Sequence, residues 1–138
     1  MANLTAPIDV AESDGREHSY PMAAATKLYA GAFAVINGGG YAADMIGGTA
    51  NQLFAGVVLE TTDNTAGANG AKRVKVRRQR GHIETRSGTG FTQASVGQPA
   101  YAADDNTVTT TAGTNTQVGV IVDFISTTQV RVSIHPTA

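Results

Sequence analysis

From Met22 onward, short runs of β-branched and apolar residues alternate with turn clusters every eight to twelve residues. That spacing leaves no room for a helix of ordinary length and is the rhythm of an all-β chain. The rhythm predicts strands at 32–37, 41–46, 53–61, 72–79, 82–86, 98–103, 107–111, 117–125 and 129–135. Between them lie Asn37-Gly38-Gly39-Gly40, Asp63 to Gly70, Ser87-Gly88-Thr89-Gly90, Asp104-Asp105-Asn106 and Ala112 to Asn115, all turn chemistry. Thirteen Val and seven Ile against four Leu, with eighteen Thr, carry the same preference. In 117–125, Val118, Val120 and Val122 are expected on one face, with Ile121 and Ile125 on the other. In 129–135, Val130, Val132 and Ile134 face in, while Gln129, Arg131 and Ser133 face out. Ser126-Thr127-Thr128 joins the two as a hairpin.

The expected fold is a small antiparallel β-barrel or sandwich spanning residues 22–138 as one domain. Residues 1–21 are set apart as an extended N-terminal arm, ordered when it docks. The arm carries Asp9, Glu12, Asp14 and Glu17 against Arg16. Val, Ile, Leu and Phe total only 28 of 138 residues, so further burial through association is expected. Tyr41-Ala42-Ala43-Asp44 returns as Tyr101-Ala102-Ala103-Asp104, and Gly56-Val57-Val58 as Gly119-Val120-Ile121. The echo is compatible with two pseudo-equivalent β units.

Several function classes fall away on residue content. With no cysteine, thiolate metal sites and thiol nucleophiles are absent. No run approaches the length of a membrane-spanning helix, and no secretory leader is expected. Gly38, Gly40 and Ala43, followed by Glu60, outline a dinucleotide-binding fingerprint. That motif needs a helix directly after Gly40, where Gly47-Gly48, Thr49 and Asn51 stand instead. The glycines are therefore read as a hairpin loop. His82 and Glu84 share a strand face and are read as a surface pair. Asp63-Asn64 and Asp104-Asp105-Asn106 lack the spacing of a calcium loop and are read as turn formers. No catalytic residues, metal or cofactor are expected.

The densest chemical signal is Lys72-Arg73-Val74-Lys75-Val76-Arg77-Arg78-Gln79-Arg80, six of the ten basic residues in nine positions. Arg73, Lys75 and Arg77 share one strand face, and Arg78 and Arg80 extend the row of Val74 and Val76. The run admits four readings: nucleic-acid contact, a nuclear-localisation-like patch, contact with carboxylates of a neighbouring protein, and a solvated edge strand. A net charge of -1 and the lack of interleaved aromatics disfavour the first, so direct nucleic-acid binding is not expected. For the third, the acidic arm of a neighbour is one source of carboxylates.

A set of turn-and-strand patterns carries a wider likeness. They are Ala25-Thr26-Lys27-Leu28-Tyr29-Ala30-Gly31-Ala32, Gly40-Tyr41, Ala55-Gly56-Val57, Asp63-Asn64 with Gly67-Ala68 and Gly70, and Val74-Lys75-Val76-Arg77. Further along stand Val96-Gly97-Gln98-Pro99-Ala100-Tyr101, Asp104-Asp105-Asn106-Thr107-Val108-Thr109, Gly119-Val120-Ile121-Val122-Asp123 and Val130-Arg131-Val132. In these the chain resembles the small capsid decoration (cement) and head-associated proteins of tailed phages and prophages. The resemblance implies an all-β homotrimer on the capsid exterior of a virion assembled in the host cytoplasm. Its partner would be the major capsid protein, and its role to hold the head against internal DNA pressure. The arm would reach onto the shell, and Asp9, Glu12, Asp14, Glu17, Arg73, Lys75, Arg77, Arg78 and Arg80 would form capsid or subunit contacts. The alternative is a β-rich module of a phage tail or fibre that binds host glycans.

Overall fold

The computed structural model describes residues 3–50 and 52–138. It is all-β, with twelve strands among the described residues. In the first half these are β1 (Glu17–Pro21), β2 (Thr26–Leu28), β3 (Phe33–Ile36), β4 (Ala42–Asp44), β5 (Leu53–Val58), β6 (Thr62–Asn64) and β7 (Arg73–Arg77). The second half holds β8 (His82–Ser87), β9 (Pro99–Ala102), β10 (Val108–Thr109), β11 (Gln117–Ser126) and β12 (Gln129–Ile134), with one 3-10 turn at Gln93–Ser95. Every stretch expected to be a strand contains one. The alternation rule missed β1, β2 and β6, which are three to five residues long and too polar to show a period.

Two antiparallel five-stranded sheets form the body, in the orders β1-β7-β5-β3-β4 and β10-β9-β11-β12-β8. Each sheet curls until its outer strands meet. Met22, just after β1, bridges Ala42 of β4, and Gly88, just after β8, bridges Val108 of β10. The two halves of the sequence therefore make two similar curled units, with which the internal echo is compatible. The echoed glycines share a structural role. A Cβ on Gly56 would stand 2.1 Å from the Arg77 carbonyl oxygen, and one on Gly119 would stand 1.9 Å from that of Ser133. Both lie beside breaks in strand register, where an extra residue bends the strand and increases its twist.

Packing follows from the curl. The hollow of the first sheet holds Leu28, Ala34, Ala55, Val58, Val74 and Val76, with Met22 and the β2–β6 ribbon closing it. Its outer face carries Phe33, Val35, Phe54 and Val57, which join Val118, Ile121, Val130, Val132 and Ile134 of the second sheet in the larger core. Phe33 and Phe54 meet edge to face at 5.5 Å there.

The β11–β12 hairpin forms through Thr127 and Thr128, with Ser126 opposite Gln129. On β12 the expected faces hold: Val130, Val132 and Ile134 are buried. On β11 they do not. Val118 and Ile121 both face the core, while Val122 is exposed. Register breaks between Gln117 and Gly119, and between Ile121 and Asp123, shift the phase of the strand by one residue each.

Candidate interaction surface

Residues 3–14, the outer part of the acidic arm, form no strand or helix and are exposed throughout. The last five residues of the expected arm behave differently: Glu17–Pro21 pair with β7 as strand β1. The chain is pinned just before this strand, where the Arg16 carbonyl accepts the Arg78 amide N–H at 2.7 Å. The expected boundary at residue 21 thus lies beyond the point where pairing begins.

β7 lies between β1 and β5, inside the sheet. This corrects the edge-strand reading of the basic run. The extra strand comes from the arm, whose short polar sequence hid it. In the β1–β7 ladder Glu17 stands opposite Arg77, Ser19 opposite Lys75 and Pro21 opposite Arg73. Opposed residues share a face, so Arg73, Lys75 and Arg77 project with Glu17 and Ser19, while Val74 and Val76 turn into the hollow. Glu17 approaches Lys75 at 4.0 Å with both side chains about half exposed, a pair of small energetic weight. The Arg73 guanidinium donates to the Ser19 carbonyl. With Pro21 lacking an N–H, that bond leaves the outer edge of β1 a poor template for another strand. Arg77 is exposed and makes no side-chain hydrogen bond or ion pair among the described residues.

Arg78 and Arg80 serve the fold. Arg78 donates to the Ala138 carbonyl at 2.5 Å, and Arg80 to the Pro136 carbonyl at 2.9 Å. Both hold the segment that runs across Phe54, whose carbonyl receives the Thr137 and Ala138 amides. Arg78 is half-buried by this contact, while Arg80 stays exposed at the surface. On the arm, Asp14 pairs with Arg16 at 3.0 Å, and Asp9 and Glu12 are exposed with no cation partner among the described residues. A cleft of about 510 Å³ opens between Ser13, Asp14, Arg16 and Glu17 on one side and Arg77 and Gln79 on the other.

The sequence reading missed one charged constellation. His82, Glu84 and Arg86 point inward along β8, with side chains only 8%, 22% and 10% exposed. The surface-pair reading of His82 and Glu84 is corrected accordingly. The Arg86 guanidinium donates to Glu84 Oε2 at 2.7 Å and to the Gly31 carbonyl at 2.7 Å, and sits 4.3 Å from the Phe33 ring centroid. It joins the second sheet to the loop before β3. An H-x-E-x-R pattern on alternate positions was the available signal, and it reads equally well as a solvated face.

The remaining polar candidates are occupied by turn chemistry. Asn37 Oδ1 accepts the amides of Gly39 and Tyr41 at 2.9 and 3.0 Å, closing the β3–β4 hairpin through Gly38–Gly40 as expected. Asp104 Oδ1 accepts the amides of Asn106 and Thr107, each at 2.8 Å. Burial pushes the Asp104 carboxyl up, but these hydrogen bonds together outweigh it and hold the group below its ordinary value. At Asp63, hydrogen bonds from the side chain and backbone of Thr65 lower the carboxyl. Asn64 is buried, and its amide donates to the carbonyls of Ala23 and Ala68. Among the described residues no three His, Asp or Glu side chains gather as a metal site. No helix there is long and apolar enough to cross a membrane.

Compared with protein-family models, curated proteins and solved structures, the chain matches none.

Proposed function

We propose that this protein is a capsid decoration (cement) protein of a tailed phage or prophage, structural rather than catalytic in role. It would bind the outer surface of the capsid lattice, with the major capsid protein as partner, and stabilise the head against internal DNA pressure. The observation that carries this reading is the arm. Leu4, Ile8 and Val10 are 70%, 62% and 69% exposed along it. The chain exposes 7787 Å², whereas a compact monomer of its 14.2 kDa is expected to expose about 6,800 Å². The excess reflects the undocked arm, whose apolar side chains a partner would cover. A ligand that binds only the assembled lattice stabilises that lattice by mass action.

The glycan-binding alternative finds less support. Tyr29 is the one aromatic among the large exposed apolar residues described, and the Lys27 ammonium already covers its ring at 4.9 Å. The deciding experiment mixes purified protein with empty expanded capsids and measures co-sedimentation. Saturable binding at micromolar concentration is expected, and no binding there would end the decoration reading.

A further inference from the structure

The outer face of the first sheet has two fates. At β3 and β5 it is covered by the second sheet through Phe33, Val35, Phe54 and Val57. At β7 and β1 the same face continues uncovered, presenting Arg73, Lys75, Arg77, Ser19 and Glu17. This ledge carries three cations against one carboxylate, and the aliphatic stems of its Arg and Lys side chains offer apolar cover.

The arm has the complementary pattern. Leu4, Ala6, Ile8, Val10 and Glu12 fall on alternate positions, as in one row of an extended segment, with Asp9 in the opposite row. Residues 3–12 extended span about 33 Å and the five residues of β7 about 17 Å, so the arm is long enough to cross the ledge. Within one chain it does not. All of residues 3–14 are exposed, although Ser13 and Asp14 border the cleft beside Arg77.

We propose that the arm of one copy lies across the ledge of a second copy, the row of Ile8, Val10 and Glu12 facing it, with Glu12 meeting the cations of Arg73, Lys75 and Arg77 and Asp9 on the arm's outer side. The protein then self-associates by exchange of arms, with no capsid required. Each copy gives one arm and accepts one, so the contact closes as a dimer or ring where its rotation returns on itself and otherwise propagates as an open chain. Charge pairing sets orientation and encounter rate, and burial of Ile8 and Val10 supplies non-directional affinity.

The test compares masses by sedimentation equilibrium at micromolar concentration for wild type and four variants. These are a deletion of residues 3–12, the arm reversal E12K, the ledge reversal R73E/K75E/R77E, and both reversals combined. An oligomeric wild type is expected, with deletion and each single reversal weakening association at least about tenfold. The combined reversal should restore it, which a merely misfolded ledge variant would not do. Carboxyl–amine cross-linking of mixed light and heavy isotope-labelled protein should join Glu12 of one isotope to Lys75 of the other. A monomeric wild type, an oligomer indifferent to arm deletion, or cross-links confined to one isotope would each overturn the proposal. Capsid co-sedimentation involves a different partner, so the two readings fail separately.

Discussion

Val57 and Arg77 stand directly opposite one another on β5 and β7 and share one face of the first sheet, yet Val57 is 4% exposed and Arg77 lies in water. The second sheet ends between them. One step along a single sheet face thus separates the main core from the surface proposed to receive a partner.

This step has an energetic signature. Val57→Ala should lose about 1–3 kcal/mol of stability, because the lost methyls leave space that close-packed neighbours fill only in part. Arg77→Ala should stay within about 0.5 kcal/mol. Urea denaturation checks both. A large loss at Arg77 would show that it supports the fold and not an interface.

The inward network on β8 should behave as a unit. Arg86→Met removes the partner of a largely buried Glu84 and should cost roughly 3 kcal/mol. Adding Glu84→Gln should recover part of the loss, with a coupling of about 0.5–3 kcal/mol in a double-mutant cycle. Strict additivity of the two changes would show that the ion pair contributes nothing.

Two glycines, one in a hairpin loop and one in a strand, should diverge. A Cβ on Gly38 meets nothing within 4 Å, so Gly38→Ala is expected to be neutral within about 0.5 kcal/mol. At Gly119 the new carbon would stand 1.9 Å from the Ser133 carbonyl oxygen, and Gly119→Ala should cost about 2–4 kcal/mol or abolish soluble expression. Thermal melts of the two proteins decide this.

Asp44 supplies a pH-dependent effect. Partial burial raises its carboxyl above the ordinary value, and the nearby Asp105 carboxylate adds to the shift. A carboxyl raised in the folded state favours folding when protonated, and that advantage is lost as pH rises from the unfolded value through the folded one. Asp44→Asn should therefore raise Tm at neutral pH and make little difference in acid, below both values. An equal Tm gain at both pH values would rule out a charge effect.

In the sequence alone, the fold class, the regions of the longer strands, the β11–β12 hairpin and the Asn37–Gly40 turn were legible. Each depends on a residue and its near neighbours: β-branched alternation makes a strand, and Asn followed by Gly makes a turn. The basic run was equally plain as a charge pattern. Its division of labour was not, because Arg78 and Arg80 each donate to a carbonyl more than fifty residues away, and only folding brings Pro136 and Ala138 beside them. The same holds for β1, whose polar residues become a strand only because β7 offers a partner. It holds as well for the slipped faces of β11, where bulges override a period that assumes regular pairing. Composition and local order decide what kind of element each segment forms. Which face meets water and which charge stays free are decided by long-range pairing, since burial belongs to the assembled sheets and not to any one strand.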